Sequence, residues 1–297
     1  MKLFITGGTG LIGQAAITRW LSQHEITVLS RSAAKVKSLF GHAVACASQL
    51  DGVDISRFDA VINLAGEPIA DKRWSKAQKQ RICHSRWDLT EQLSTLIQQA
   101  HKPPSVFISG SAIGFYGRQD PHCIDEDHQD FYPEFSHDVC ARWENLAQRA
   151  ASDRTRVCLV RTGIVLAENG GALKKMLPAF RMGLGGKIGT GTQYMSWIHL
   201  DDMTALLDFL LCHSELRGPI NATAPKAVPN TRFTQLLAER LKRPALLPMP
   251  AFMVRLLFGE MGDLLLYGQN VYPKKLLDAG FQFSYPDLRE ALQQLKL

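Results

Sequence analysis

Paired cysteines, long hydrophobic runs and clustered charge are all missing from this 297-residue chain. Its six cysteines, Cys46, Cys83, Cys123, Cys140, Cys158 and Cys212, form no Cys-x-x-Cys and no close pair, which excludes a zinc ribbon and a disulfide framework. A reducing cytoplasm is the expected setting. The most apolar stretch is interrupted by Arg255, Glu260 and Asp263, well short of the roughly 20 uncharged residues of a membrane span. The opening run Met1–Ile5 breaks at Thr6-Gly7-Gly8, too short for a signal-peptide core, so neither export nor a membrane partner is expected. The 34 Lys and Arg exceed the 28 Asp and Glu by 6, but they are scattered, and no aromatic RNA motif accompanies them. Nucleic acid is therefore not an expected partner, whereas an anionic small molecule is. Internal repeats, low-complexity tracts and long linkers are also missing, so any two domains should be fused rather than tethered.

Hydrophobic residues at 45% and charged residues at 21% describe a chain able to bury a sizeable core, which excludes wholesale disorder. Short apolar runs at 3–6, 26–30, 60–64, 106–109 and 157–161 read as strands. Between them, segments of helical period fall at 11–24, 34–40, 75–100 and 136–150. That alternation predicts βαβ units and a parallel sheet covered on both faces. Beyond Arg161 the texture changes to glycine-rich sequence around a helix at 173–182. Asp201 and Asp202 are expected to cap a helix at 203–212, and 218–222 reads as one more strand. Prolines then punctuate three or four further helices.

Thr6-Gly7-Gly8-Thr9-Gly10-Leu11-Ile12-Gly13 joins the first strand to the first helix, with G-x-G-x-x-G at Gly8, Gly10 and Gly13 and a second reading from Gly7. Glycines let the backbone turn tightly and approach a pyrophosphate, whose charge then sits at a helix amino terminus. A strand before, a helix after and a second strand closing the unit supply the context that this motif needs. The prediction is an α/β, Rossmann-type doubly wound parallel sheet over residues 1–165 plus 196–224. A smaller, mainly helical substrate-side domain would comprise 166–195 plus 225–297. Where an NAD-selective protein carries an acid after its second strand, this chain has Arg31-Ser32. A guanidinium there pairs with a 2′-phosphate, so NADP is the expected cofactor.

Further motifs carry a family resemblance: Asn63-Leu64-Ala65-Gly66-Glu67-Pro68-Ile69, Arg73-Trp74, Ser85-Arg86, Ser109-Gly110-Ser111-Ala112 with Tyr116-Gly117, and Arg142-Trp143-Glu144. Gly259-Glu260, Gly268-Gln269, Pro273-Lys274-Lys275 and Ala279-Gly280-Phe281 extend it to the end of the chain. The sequence resembles the extended short-chain dehydrogenases/reductases, and within them the "epimerase family" subgroup with a small terminal domain of unknown function. The resemblance implies that Leu64, Ala65 and Gly66 contact the cofactor, that Arg86 lies on the cofactor side, and that Thr162-Gly163-Ile164-Val165 borders the nicotinamide.

It also exposes two departures. Ser111 matches the superfamily's catalytic serine, but the Tyr-x-x-x-Lys pair falls on Ser136 and Cys140, which cannot supply a tyrosinate activated by lysine. Tyr116, Asp138, Cys140 and Glu67 are candidate substitutes, of which Tyr116 is the one assigned beside Ser111; each also has a plain packing or electrostatic role open to it. The stretch 191–202, where nucleotide-sugar enzymes place a cation, has no Arg or Lys, leaving Arg181 and Lys187 nearby. His199 with Asp201 lacks a third ligand, so no metal is expected. Trp74, Trp87, Trp143 and Trp197 either line a pocket or pack. The expected function is NADP-dependent oxidoreductase or epimerase chemistry on a small hydroxylated or carbonyl substrate. Its rival is a non-catalytic NADP(H)-binding sensor.

Overall fold

A computed structural model describes residues 1–168 and 170–297. Seven parallel strands build the central sheet: β1 (Lys2–Thr6), β2 (Glu25–Leu29), β3 (Val44–Ala47), β4 (Ala60–Asn63), β5 (Val106–Ala112), β6 (Arg156–Thr162) and β7 (Gly218–Ala222). Their spatial order is β7-β6-β5-β4-β1-β2-β3. The order reverses at β1, so a crevice opens between β1 and β4 at the carboxyl ends of the strands. Register brings Thr6, Leu29 and Asn63 to that edge, and continues it through Ser109 to Ser111 and Arg161.

Alternation along β1 shows how the layers form. Leu3 and Ile5 bury against α1 (Leu11–Trp20), α2 (Ala33–Phe40) and α6 (Leu200–Cys212), whereas Phe4 joins the opposite core with α3 (Lys76–Gln99) and α4 (Phe135–Gln148). Sequence pattern located these helices closely, with α1 stopping at Trp20 rather than running to 24. The strand β3 was not anticipated. Its Val-Ala-Cys-Ala is short and only weakly β-forming, and sheet pairing with β2 decides it.

A second core gathers Leu166, α5 (Gly171–Arg181), Trp197, α7 (Asn230–Leu241) and the terminal helix Leu288–Gln294. Buried polar bonds weld it to the sheet. The amides of Ser284 and Tyr285 donate to the Asp202 carboxylate at 2.7 and 3.0 Å, Val271 N–H donates to Ser196 Oγ at 2.9 Å, and Asn221 Nδ2 donates to the Tyr272 carbonyl at 3.0 Å. The expected aspartate caps are corrected here: α6 begins at Leu200, and His199 Nδ1 caps it by accepting from Asp201 N–H at 3.2 Å. Asp202 is spent on the 284–285 turn, and burial holds its carboxyl above the usual range despite those two amides.

Candidate functional site

The phosphate loop is made of backbone. Gly7 has φ +72°, and a Cβ there would stand 2.5 Å from the Leu64 carbonyl, so only glycine lets the β1 turn lie against the β4 loop. Gly13 backs onto the Gly7 carbonyl in the same way. A Cβ on Gly10, by contrast, would meet only the Gly7 carbonyl oxygen at 3.2 Å, and its outer side is open. Gly10 N–H donates to that oxygen at 2.9 Å, closing the turn. Gly10 also begins α1 without a side-chain cap. The first-turn amides of Leu11, Ile12 and Gly13 thus have no intrahelical acceptor and gather positive potential at the loop.

The β4 loop is braced from behind. Thr6 Oγ1 donates to Asn63 Oδ1 at 2.6 Å, and Asn63 Nδ2 donates to Thr90 Oγ1 at 2.8 Å. Beyond it, Arg86 Nη1 donates to the Glu67 and Ile82 carbonyls at 2.9 and 3.1 Å, and its guanidinium lies 5.2 Å from the Trp143 ring centre. Arg86 therefore ties the loop at Glu67 to α3, with its guanidinium against Gly66. At the end of β2, Arg31 is exposed and has no side-chain partner among the described residues, while Ser32 caps α2 by accepting from Lys35 N–H at 3.2 Å. No carboxylate stands at 30–32.

The expected catalytic pair sits in a different environment. Ser111, almost wholly buried, donates to Glu144 Oε1 at 2.6 Å. Glu144 is held in turn by Arg161 through two bonds of 2.8 Å, from Nε and Nη2. Arg161 Nη1 donates to the Tyr116 hydroxyl at 3.0 Å, and that hydroxyl donates to Asn221 Oδ1 at 2.8 Å. Tyr116 has no solvent exposure, and burial pushes its phenol up to about 12. The structure thus brings Ser111 and Tyr116 into one network, but through Glu144 and Arg161 rather than face to face. Sequence reading missed both roles. The signal available was an acid and a base on apolar, core-directed segments, where an unpaired charge would be untenable.

Among the other candidates, Cys140 is buried beside Ser111, and burial followed by the Glu144 charge pushes its thiol up to about 12. The Ser136 hydroxyl is bonded to Glu134, Asp138 is exposed, and Glu67 accepts from Gln78. The tryptophans pack. Trp74, Trp87 and Trp197 donate to backbone carbonyls, and Trp143 lies against Gly110. Arg181 and Lys187 are exposed. A cavity of about 320 Å³ lies between the 119–121 loop and the segments 189–194 and 251–268, lined by Thr190, Thr192, Gln193, Tyr194, Arg255 and Tyr267 among others. Neither Ser111 nor the phosphate loop lines it.

Sheet order, crevice and phosphate loop together define a dinucleotide-binding protein of the epimerase type, and the chain belongs to the NAD dependent epimerase/dehydratase family, which matches residues 3–222. Residues 249–295 match a domain of unknown function, DUF1731. The chain is 36% identical over 300 residues to the mouse (Mus musculus) Epimerase family protein SDR39U1, covering 99% of each. To the Epimerase family protein SDR39U1 homolog, chloroplastic, of Arabidopsis thaliana it is 37% identical over 307 residues, covering 99% of this chain and 86% of that one. Among solved structures it is similar to human epimerase family protein SDR39U1 (isoform 2) with NADPH, with TM-score 0.91, 33% identity and 99% of each chain covered. UDP-glucuronic acid 4-epimerase from Bacillus cereus in complex with NAD has TM-score 0.76 at 16% identity, over 99% of this chain and 94% of that one, a likeness of fold.

Proposed function

We propose that the protein binds NADP(H) and exchanges hydride with a small hydroxylated or carbonyl substrate. The observation that carries the cofactor assignment is the uncapped α1 amino terminus behind Gly10, paired with an exposed, unpartnered Arg31 where an acid would select NAD. Gly7, Gly8, Thr9, Gly10, Leu11, Ile12 and Gly13 would hold the pyrophosphate, and Arg31 with Ser32 the 2′-phosphate. Leu64, Ala65 and Gly66, the last with the Arg86 guanidinium against it, would flank the dinucleotide, and Ile164 the nicotinamide end. The NADPH in the human relative supports the same reading. When bound, the cofactor supplies hydride exchange at C4 of its nicotinamide ring.

With its O–H donated as a hydrogen bond to Glu144, Ser111 Oγ keeps two lone pairs and can accept a hydrogen bond from a substrate hydroxyl. Proton release would then run from substrate to Ser111 and from Ser111 to Glu144, with Arg161 holding the carboxylate in place. Tyr116, enclosed and difficult to ionise, steadies Arg161 instead of replacing the missing phenol. Residues 166–195 and 225–297 form the substrate side in this reading, and they supply most of the cavity lining. Six free cysteines suit a reducing cytoplasm.

NADPH absorbance with a panel of carbonyl compounds and sugar nucleotides tests the proposal. Ser111→Ala should cut turnover on any hit by about 100-fold or more, while Tyr116→Phe retains most of it. Wild-type turnover by Ser111→Ala would remove Ser111 from the reaction. One observation favours the sensor reading: Ser111, Ser136 and Cys140 are all buried, and both serine hydroxyls are already bonded to carboxylates. Tight NADPH binding with silence across the panel and a cofactor-dependent protein partner would establish that reading instead.

A further inference from the structure

The DUF1731-matching segment carries a helix that is apolar almost all round yet barely buried. In α8 (Ala251–Phe258, sequence AFMVRLLF) the one wholly buried side chain is Val254. By the 3.6-residue period, Phe252 and Leu256 lie opposite Val254 and are 70% and 71% exposed, while Met253 and Leu257 flank it and are 40% and 51% exposed. The stripe does not end there. The strand-like run before α8 lies along 183–189, where Leu247 N–H donates to the Gly185 carbonyl at 3.3 Å and Met249 N–H donates to the Lys187 carbonyl at 2.9 Å. This contact adds Leu246, Leu247, Met182 and Leu184, with Leu246 at 81% exposure. Exposures this high mark a ridge, not a groove waiting for a side chain.

The two stretches that carry the ridge hold basic residues and no acid, and the nearby carboxylates, Glu260 next to α8 in the chain and Asp71 beside Lys175, are each paired with a lysine. No Asp or Glu occurs between Glu168 and Asp201, or between Glu239 and Glu260. Over the same two stretches Lys174, Arg181, Lys187, Lys242 and Arg243 are all exposed. We propose that this ridge docks the protein on an anionic lipid bilayer, its apolar side chains entering the headgroup boundary and its basic rim meeting lipid phosphates. Apolar area and basic charge are the two quantities that set the strength of such interfacial binding. A second copy of this chain would bring basic rim against basic rim, and lysine is depleted at protein–protein interfaces. No helix among the described residues is long and apolar enough to cross a membrane, and lying on one requires none.

Sedimentation of the full chain with vesicles tests this, using phosphatidylcholine alone and phosphatidylcholine with phosphatidylglycerol at about two to one. Binding is expected to the anionic vesicles, weakening as salt rises. Lys242→Ala/Arg243→Ala should weaken it about 25-fold, at roughly fivefold per cation, and Phe252→Ser/Leu256→Ser should weaken it further. Both variants should keep wild-type NADPH affinity, which certifies their folding independently of the lipid assay. No sedimentation with anionic vesicles at low salt overturns the proposal, as does equal binding to both vesicle types. A concentration-dependent dimer by analytical ultracentrifugation, lost in Phe252→Ser/Leu256→Ser while vesicles go unbound, would assign the ridge to a second copy instead.

Discussion

The two halves of the crevice are built from opposite materials. On the glycine-loop side the groups are backbone amides and glycines, open on the outer face of Gly10 and with an exposed arginine at the end of β2. On the chemical side the groups are side chains, and Ser111, Glu144, Arg161, Tyr116 and Asn221 satisfy one another in a closed, buried chain. An open backbone site is preorganised and only has to receive its ligand. A closed polar network first fulfils the requirement that buried charge be paired, and the reaction proposed above would run through bonds that already hold the fold together.

That contrast breaks most visibly at Glu144. Glu144→Ala leaves Arg161 buried without its partner and should cost about 3–5 kcal/mol in urea unfolding, while Glu144→Leu/Arg161→Met, which removes both charges, should cost much less. Next comes alkaline pH. Tyr116 rises from its ordinary 10 to about 12 and Cys140 from 9 to about 12, burial being the leading cause for both. Above pH 9 the unfolded chain therefore loses protons that the folded chain retains, and stability falls as pH rises. The contribution of these groups is fully present below pH 9 and disappears by about 12, roughly 3 kcal/mol for Tyr116 and roughly 4 kcal/mol for Cys140. Cys140→Ala should flatten that decline, as read from urea midpoints across the range.

The open side should respond in the reverse manner, losing ligand and not fold. Gly10→Val meets little protein and should remain folded by circular dichroism while weakening NADPH binding by about 100-fold or more, equivalent to ~2.7 kcal/mol. Gly13→Val runs into the Gly7 carbonyl and should destabilise the domain itself. If the two variants behaved alike, the distinction between ligand-facing and packing glycines would be lost.

The same contrast explains what could be read in advance. Local rules govern the open side: strand, glycine turn, helix and the residue ending β2 follow one another within about thirty residues, so the glycine turn and the place of Arg31 at the end of β2 were legible in the sequence. The strands of near-continuous apolar composition and the helical periods between them gave the layered sheet, apart from β3, whose existence depends on pairing with β2. The closed side is assembled between separate elements: Tyr116 meets Asn221 on β7, and Glu144 on α4 meets Arg161 on β6. Periodicity carries no information on such pairings. His199 was similarly concealed as a cap, because two aspartates that follow it satisfy the usual rule for a helix start, while the fold commits Asp202 to the 284–285 turn.

Cofactor choice is the most direct test of the account. Calorimetric titration of NADPH and NADH against wild type and Arg31→Ala isolates one exposed guanidinium. A charge-assisted contact of roughly 1.5–3 kcal/mol predicts that wild type prefers NADPH by about 10-fold to 150-fold and that Arg31→Ala loses most of this preference, with NADH affinity nearly unchanged. Equal affinity of the wild-type protein for the two cofactors would contradict it.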